Sequence, residues 1–85
     1  MKSLTLDRNT LSHKEALHPL LARELSFPDW YGSNLDALFD CLTALTEETS
    51  ITLSDTDSLP PYAQRVVKVL QAAARENPCI HLQKD

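Results

Sequence analysis

Residues 27–45 read FPDWYGSNLDALFDCLTAL, and they predict an aromatic loop that leads into a helix. Gly32, the only glycine, is the expected site of a positive φ. We expect Ser33 to cap the helix N-terminus, with Asp36 placed favourably in the first turn. Five apolar residues recur at helical spacing and predict the buried face of this helix: Leu35, Leu38, Phe39, Leu42 and Leu45.

The opposite face of this predicted helix is acidic. Asp36, Asp40 and Thr43 follow at i, i+4 and i+7. Two carboxylates one turn apart repel, which costs a helix roughly 0.2–0.5 kcal/mol. Position 44, where a basic residue could compensate Asp40, is alanine. A plain solvated surface would explain most acidic helix faces, but the neighbouring Trp30 favours a binding surface.

Charge is unevenly distributed along the chain. Residues 24–64 contain eight acidic residues and no Lys or Arg, whereas the other segments contain four acidic and eight basic residues. The sum is the formal net charge of −4. Contacts to nucleic-acid phosphates require Lys and Arg. The acidic centre therefore disfavours direct nucleic-acid binding and favours a basic protein partner.

The length of 85 residues suits a single domain spanning residues 1–85. The first eight residues show no apolar core of a signal peptide, and no apolar run is long enough to cross a membrane. We therefore expect a cytoplasmic protein. In a reducing compartment Cys41 and Cys79 should remain free thiols.

The pattern of segments predicts an α/β fold. Ser12 and Glu15 match a capping box that opens a helix over about residues 13–25, and Pro19 should either kink this helix or split it. Pro61 should open the last helix, and Asn77-Pro78 should end it. The remaining predicted segments are strands at Ser3–Leu6, Ser50–Leu53 and Cys79–Leu82, with a turn at Arg8–Thr10.

This order, β-α-α-β-α-β, predicts a small three-stranded parallel sheet packed by helices, because helical crossovers join parallel strands.

Catalysis and metal binding find little support in the sequence. The carboxylate of Asp40 should raise the pKa of the adjacent Cys41 thiol and not activate it. His13, His18 and His81 are scattered, and we expect surface or strand positions for them. Two aspartates on one helix are too few ligands for a hard cation. We therefore expect no catalytic residues, no metal and no cofactor.

A protein-binding surface suits the residues better. Trp30 and Tyr31 belong to the residue types that dominate binding energy at interfaces. Adjacent loop residues seldom point the same way, so one of the two should pack inward. The carboxylates of Asp36 and Asp40 could present their oxygens to an Arg-rich pocket.

Residues 31–43, YGSNLDALFDCLT, resemble the signature of the barstar family of intracellular inhibitors of barnase-type ribonucleases. The predicted element order and Cys79 agree with this resemblance. It implies that the first strand is central in the sheet, and that the loop and second helix plug a ribonuclease active site in a 1:1 complex.

The resemblance also implies roles for single residues. Asp40 would replace an RNA phosphate among catalytic Arg and His side chains, and Asp36 would meet a basic residue at the rim. Trp30 stands where the family has a tyrosine that packs on an active-site histidine. The other expected partner-binding residues are Gly32, Asn34, Leu35, Phe39 and Thr43.

Some positions depart from the family pattern. Phe39 replaces a tryptophan, Ser33 a glutamate, and Ala73, counted back from Cys79, an acidic contact on the last helix. We therefore expect the partner to be a secreted or toxin ribonuclease other than barnase. Two alternatives stay open: a barstar-like module that binds another basic protein without inhibiting a ribonuclease, and an enzyme.

Overall fold

The computed structural model describes residues 1–84. None of the helices in this part of the chain combines the length and apolar character needed to cross a membrane. The elements in chain order are β1 (Lys2–Leu6), α1 (Arg8–Ser12), α2 (Lys14–Glu24), α3 (Leu35–Thr43), β2 (Thr49–Leu53), α4 (Pro61–Glu76) and β3 (Ile80–Lys84).

The three strands form a parallel sheet in the order β1-β2-β3, with Leu4, Ile51 and Leu82 in register. The α/β prediction is confirmed. The expectation that the first strand is central is wrong, because β2 lies in the middle. The connections from β1 to β2 and from β2 to β3 both lead to the neighbouring strand on the same side. When such connections are right-handed, all helices lie on one face of the sheet. Accordingly α3 and α1 both contact α4. A central β1 would have put α4 on the opposite face.

The strands alternate between a buried and an open face. In β2, Thr49, Ile51 and Leu53 are buried, whereas Ser50 and Thr52 are only half-buried. The helices cover the first set, and the outer face of the sheet carries polar side chains. The buried hydrophobic residues from sheet and helices form one core: Leu6, Leu11, Leu17, Leu21, Leu25, Leu38, Leu42, Ile51, Leu53, Leu59, Ala63, Val66, Leu70, Ala73 and Ile80.

The first helical region divides at His13. The turn predicted at residues 8–10 is instead the start of α1, because Asp7 accepts a hydrogen bond from the Thr10 backbone N–H at 2.8 Å and caps that helix. The predicted capping box is wrong, since the Ser12 hydroxyl donates to the Arg8 carbonyl oxygen at 2.7 Å. His13 precedes α2 without a side-chain cap.

Pro19 does not split α2, which runs uninterrupted from Lys14 to Glu24. The proline is exposed, while Leu17, His18 and Leu21 of the same helix are buried. Burial of these side chains outweighs the backbone hydrogen bond that a proline removes.

The predicted ends of α4 are confirmed: Pro61 is its first residue and Asn77 follows its last. The buried Asn77 also holds α3 in place. Its side-chain amide donates to the carbonyl oxygens of Leu42 and Leu45, both at 2.9 Å, and its oxygen accepts from the Cys79 backbone N–H at 3.0 Å. One side chain thus satisfies the C-terminal end of α3 and fixes it against the start of β3.

Candidate protein-binding site

The N-terminus of α3 is capped by Asn34, whose Oδ1 accepts from the Ala37 backbone N–H at 2.8 Å. The prediction of Ser33 as the cap is wrong, because Ser33 takes a left-handed φ of 55° and a cap requires extended backbone. Gly32 does not have a positive φ. A Cβ on Gly32 would lie 3.0 Å from Asn34 Nδ2, so the glycine provides room for the capping side chain.

The two sides of α3 differ as the sequence predicts. Leu38, Cys41 and Leu42 are buried. Asp36 and Asp40 are exposed. The ion pairs found among residues 1–84 all join other residues, so neither carboxylate is neutralised by a contact within this part of the chain. A helix fixed by its buried leucines therefore presents two carboxylates to solvent.

Basic side chains from other helices approach this acidic side. Lys68 of α4 lines one shallow groove together with Asp36 and Asp40. Lys14 of α2 and Arg65 of α4 line a second groove, which also includes Asp36. Sequence reasoning missed these neighbours because they lie outside the segment from residue 24 to residue 64. The surface around the two carboxylates therefore has mixed charge.

Ala73, the position expected to lack the family's acidic contact, is completely buried and offers no side chain to a partner. It continues the core side of α4, where Ala63, Val66 and Leu70 are also buried. The alanine of α4 that lines the groove beside Asp40 is Ala72.

The loop before α3 contains one exposed and one inward-facing aromatic ring, as predicted. Trp30 is 66% exposed. Tyr31 is half-buried and packs edge-on against Phe27, with ring centroids 4.9 Å apart. The exposed indole therefore lies next to a ring that anchors the loop to the body of the protein.

His18 is buried, with 2% of its surface exposed, so the expectation of a surface position is wrong. Its Nδ1 hydrogen-bonds the Tyr31 hydroxyl, and its Nε2 hydrogen-bonds the Tyr62 hydroxyl at 2.7 Å. Burial, and secondarily the positive charge of Lys14, lower the pKa of His18. Burial raises the pKa of Tyr31 well above its usual range. The spacing of His18 from Leu21, one turn further along the buried side of α2, was the signal available in the sequence.

The remaining predicted site residues serve α3 itself or border the groove. Leu35 and Phe39 are half-buried and line the groove beside Asp40. The half-buried Thr43 donates its hydroxyl hydrogen bond to the Phe39 carbonyl oxygen at 2.9 Å, with the Asp40 carbonyl oxygen at 3.1 Å. The hydroxyl of Thr43 is thus occupied by backbone of its own helix.

The cysteines are free thiols, and Cys41 is buried. Burial, and secondarily the Asp40 carboxylate, raise the pKa of Cys41, which leaves it a poor nucleophile. Within residues 1–84, no group of three or more His, Cys, Asp or Glu side chains is arranged to hold a metal ion.

Two comparisons with known proteins found similarity over most of the chain. A family model described as Barstar (barnase inhibitor) matches residues 1–83. A protein of Bacillus subtilis (strain 168), named "Putative ribonuclease inhibitor YrdF", is 37% identical to this chain over 81 residues, an alignment that covers 89% of each protein.

Proposed function

The chain belongs to the barstar family, and from this premise we propose that it inhibits a barnase-type ribonuclease by inserting the acidic side of α3 into the active site of the enzyme. Its family and relative assign it a ribonuclease-inhibitor-like role and not an enzymatic one. The proposal adds the surface, the mechanism and the class of partner.

The single observation that carries the proposal is the pair of exposed carboxylates on a rigid helix. Asp36 and Asp40 lie one turn apart and make no ion pair within residues 1–84. A ribonuclease active site binds an RNA phosphate with cationic side chains. Asp40 replaces that phosphate, and Asp36 meets a basic side chain at the rim. Charge-assisted hydrogen bonds to both carboxylates would hold the complex.

Trp30 supplies the apolar part of the interface. Among residues 1–84, the exposed large hydrophobic residues are Met1 and Trp30. A tryptophan beside a charged site is a typical hot-spot residue because it buries a large rigid surface at little entropic cost. We propose that its ring packs against an active-site histidine of the ribonuclease.

The other residues of the proposed site shape the surface around these anchors. Leu35 and Phe39 form the apolar wall of the groove next to Asp40. Gly32 lets the partner approach the backbone closely. The side chains of Asn34 and Thr43 form hydrogen bonds with the backbone of α3 and thereby fix the direction in which the carboxylates point.

The biological setting follows from the chemistry of inhibition. A cell that makes a secreted or toxin ribonuclease must block any active enzyme in its own cytoplasm. A 1:1 inhibitor acting there serves as an immunity protein or antitoxin, and it needs neither a cofactor nor direct contact with RNA.

The experiment uses an immobilised parent protein and an immobilised Asp40→Ala variant as matched baits for an extract of the cells that make this protein. A protein retained by the parent and not by the variant is then assayed for RNA cleavage. We expect a ribonuclease whose activity falls to zero at one molar equivalent of the parent. Retained protein without ribonuclease activity, or a parent protein that itself binds RNA, would contradict the proposal.

A second candidate is a binding module for another basic protein that is not a ribonuclease, and the mixed charge of the site suits a partner that is basic only where it meets the two carboxylates. Lys68 lines the same groove as Asp40 and would repel a partner that is basic across its whole contact surface. The same capture experiment separates the two functions, because the second predicts an Asp40-dependent partner that does not cleave RNA.

A further inference from the structure

The aromatic loop, residues 25–34, is anchored by one side-chain hydrogen bond in its central part. Among the described residues, positions 27–33 contribute a single such bond, from Tyr31 to His18. Ser26 and Ser33, at the two sides of this part, both take left-handed φ angles, 56° and 55°. The loop thus depends on how well the Tyr31 ring is held.

His18 holds the Tyr31 ring in place through this hydrogen bond. The two ring nitrogens of His18 bond two hydroxyls, one from the loop and one from α4, and its ring lies 5.7 Å from the Tyr31 ring between centroids. In a neutral imidazole one nitrogen donates and the other accepts. A neutral ring therefore matches two hydroxyl groups, since one of them accepts and the other donates.

A protonated ring does not fit this arrangement. Both nitrogens would donate, so both tyrosine oxygens would have to accept, and the hydroxyl hydrogen that had bonded the ring would lose its acceptor in a half-buried site. The charges around the cluster add to this cost. Lys14 of α2 lies 5.5 Å above the Tyr62 ring, and Arg65 of α4 lines the adjoining groove. Glu15 of α2 and Asp36 of α3 line the same groove, and all four of these charged side chains are exposed. Of the four, only Lys14 contributes to the lowered pKa of His18.

We propose that His18 is the positioning residue of the aromatic loop: neutral, it clamps Tyr31 so that Trp30 stays oriented for its partner, and protonated, it releases the loop. The link between the loop and inhibition rests on the proposed function, whereas the clamp itself does not. The inference is therefore tested on the free protein.

The direction of the pH dependence follows from the lowered pKa of His18. In a released loop the imidazole recovers its ordinary value of 6.5 and binds a proton more readily than in the clamp. The clamp therefore holds fully above pH 6.5 and weakens as the pH falls through the lowered pKa. Mild acid should loosen the loop while the sheet and α3 remain folded.

Trp30 is the only tryptophan, so its fluorescence reports on this loop alone. We would measure quenching of Trp30 by acrylamide, together with amide hydrogen exchange of residues 27–33, between about pH 8 and pH 5, the range in which histidines titrate. Far-ultraviolet circular dichroism of the same samples reports whether the fold as a whole survives.

Three variants make the test specific. His18→Gln keeps one donor and one acceptor without titrating, so the loop should stay ordered and lose its pH dependence. In His18→Leu the loop amides should exchange about tenfold faster or more at every pH, because the half-buried Tyr31 hydroxyl loses its partner. His13→Gln replaces an exposed histidine, so its Trp30 signal should depend on pH as it does in the parent.

A parent protein whose Trp30 signal does not change with pH would overturn the inference. So would a signal that changes only together with the circular dichroism, or parent-like loop exchange in His18→Leu. None of these results involves a ribonuclease, so they leave the proposed inhibition standing or falling on its own experiment.

Discussion

Polar groups are satisfied within the cluster of His18, Tyr31 and Tyr62, whereas on the acidic side of α3 they face solvent. In the cluster each ring nitrogen has a hydroxyl partner and almost no contact with water. On α3 the carboxylates of Asp36 and Asp40 are exposed and make no ion pair within residues 1–84. Polar groups that shape the fold are satisfied inside it, whereas these two carboxylates face solvent and are open to a partner.

Replacing Asp40 by Ala should produce the largest functional effect and no loss of stability. Removing one member of a desolvated charge pair costs about 2–5 kcal/mol of binding, which corresponds to about 30-fold weaker inhibition or more. Stability should stay equal or rise, because repulsion from Asp36 disappears and alanine gains up to about 0.7 kcal/mol of helix propensity. Ribonuclease titration and thermal unfolding of the same samples measure both effects.

Asp57→Ala is the matched control for Asp40→Ala, since it removes an equally exposed charge far along the chain from α3. Its inhibition should stay within a few-fold of the parent. A lower unfolding temperature in Asp40→Ala would show that Asp40 belongs with the satisfied groups. Unchanged inhibition would remove the acidic side of α3 from the mechanism.

Replacing Tyr62 by Phe should have the opposite effect to Asp40→Ala, because it should lower stability more than it weakens inhibition. The change leaves a buried nitrogen of His18 without its partner, at a cost of about 1–3 kcal/mol. A domain of this size should lose roughly 4–8 °C in unfolding temperature for each kcal/mol. Thermal unfolding measures the loss, and inhibition at saturating folded protein should change less than in Asp40→Ala.

A double-mutant cycle tests whether the loss comes from this hydrogen bond. In a His18→Leu background the change Tyr62→Phe should cost little, because the nitrogen it would orphan is already absent. An equal cost in both backgrounds would mean that the hydroxyl of Tyr62 stabilises the protein through another contact.

The smallest effect is expected from acidic residues that lie outside both regions. Neutralising them should lower the association rate and flatten its salt dependence, while the dissociation rate stays nearly constant. Stopped-flow mixing with the captured ribonuclease at several salt concentrations measures this. Association that is already independent of salt in the parent would exclude electrostatic steering. The residues to neutralise together are Glu47, Glu48, Asp55 and Asp57.

Two of these acidic side chains, Glu47 and Glu48, have partners within the chain. Glu47 Oε2 lies 3.8 Å from the terminal amine of Met1, and His81 Nε2 lies 2.7 Å from Glu48 Oε1. The hydrogen bond from His81 lowers the pKa of Glu48. These two glutamates therefore contribute to the long-range field while keeping local partners, which is why a modest kinetic effect is expected of them.

The N-terminus of α3 shows where local rules reach their limit. The prediction from the sequence was Ser33, although Asn34 also belongs to the residue types that cap helices. The structure uses Asn34, because only its backbone is extended, while Ser33 supplies the left-handed turn. Propensity identifies the residue types suited to a helix end, but the path of the incoming loop decides which one is aligned with the free N–H groups.

By itself the sequence determined the parallel α/β fold, the two-sided character of α3, the bounds of α4 and the inward packing of one of the two aromatic rings at positions 30 and 31. These features follow from short-range spacing, because residues one turn or one pleat apart are neighbours in every fold that forms the element. Their prediction needed no knowledge of how the elements pack.

Only the tertiary structure decided that β2 is central, that His18 is buried between two tyrosines, and that Lys68 lines the same groove as Asp40. Each of these depends on which faces of distant elements meet across the core. That choice is made by packing the whole hydrophobic surface at once, so no local pattern contains it.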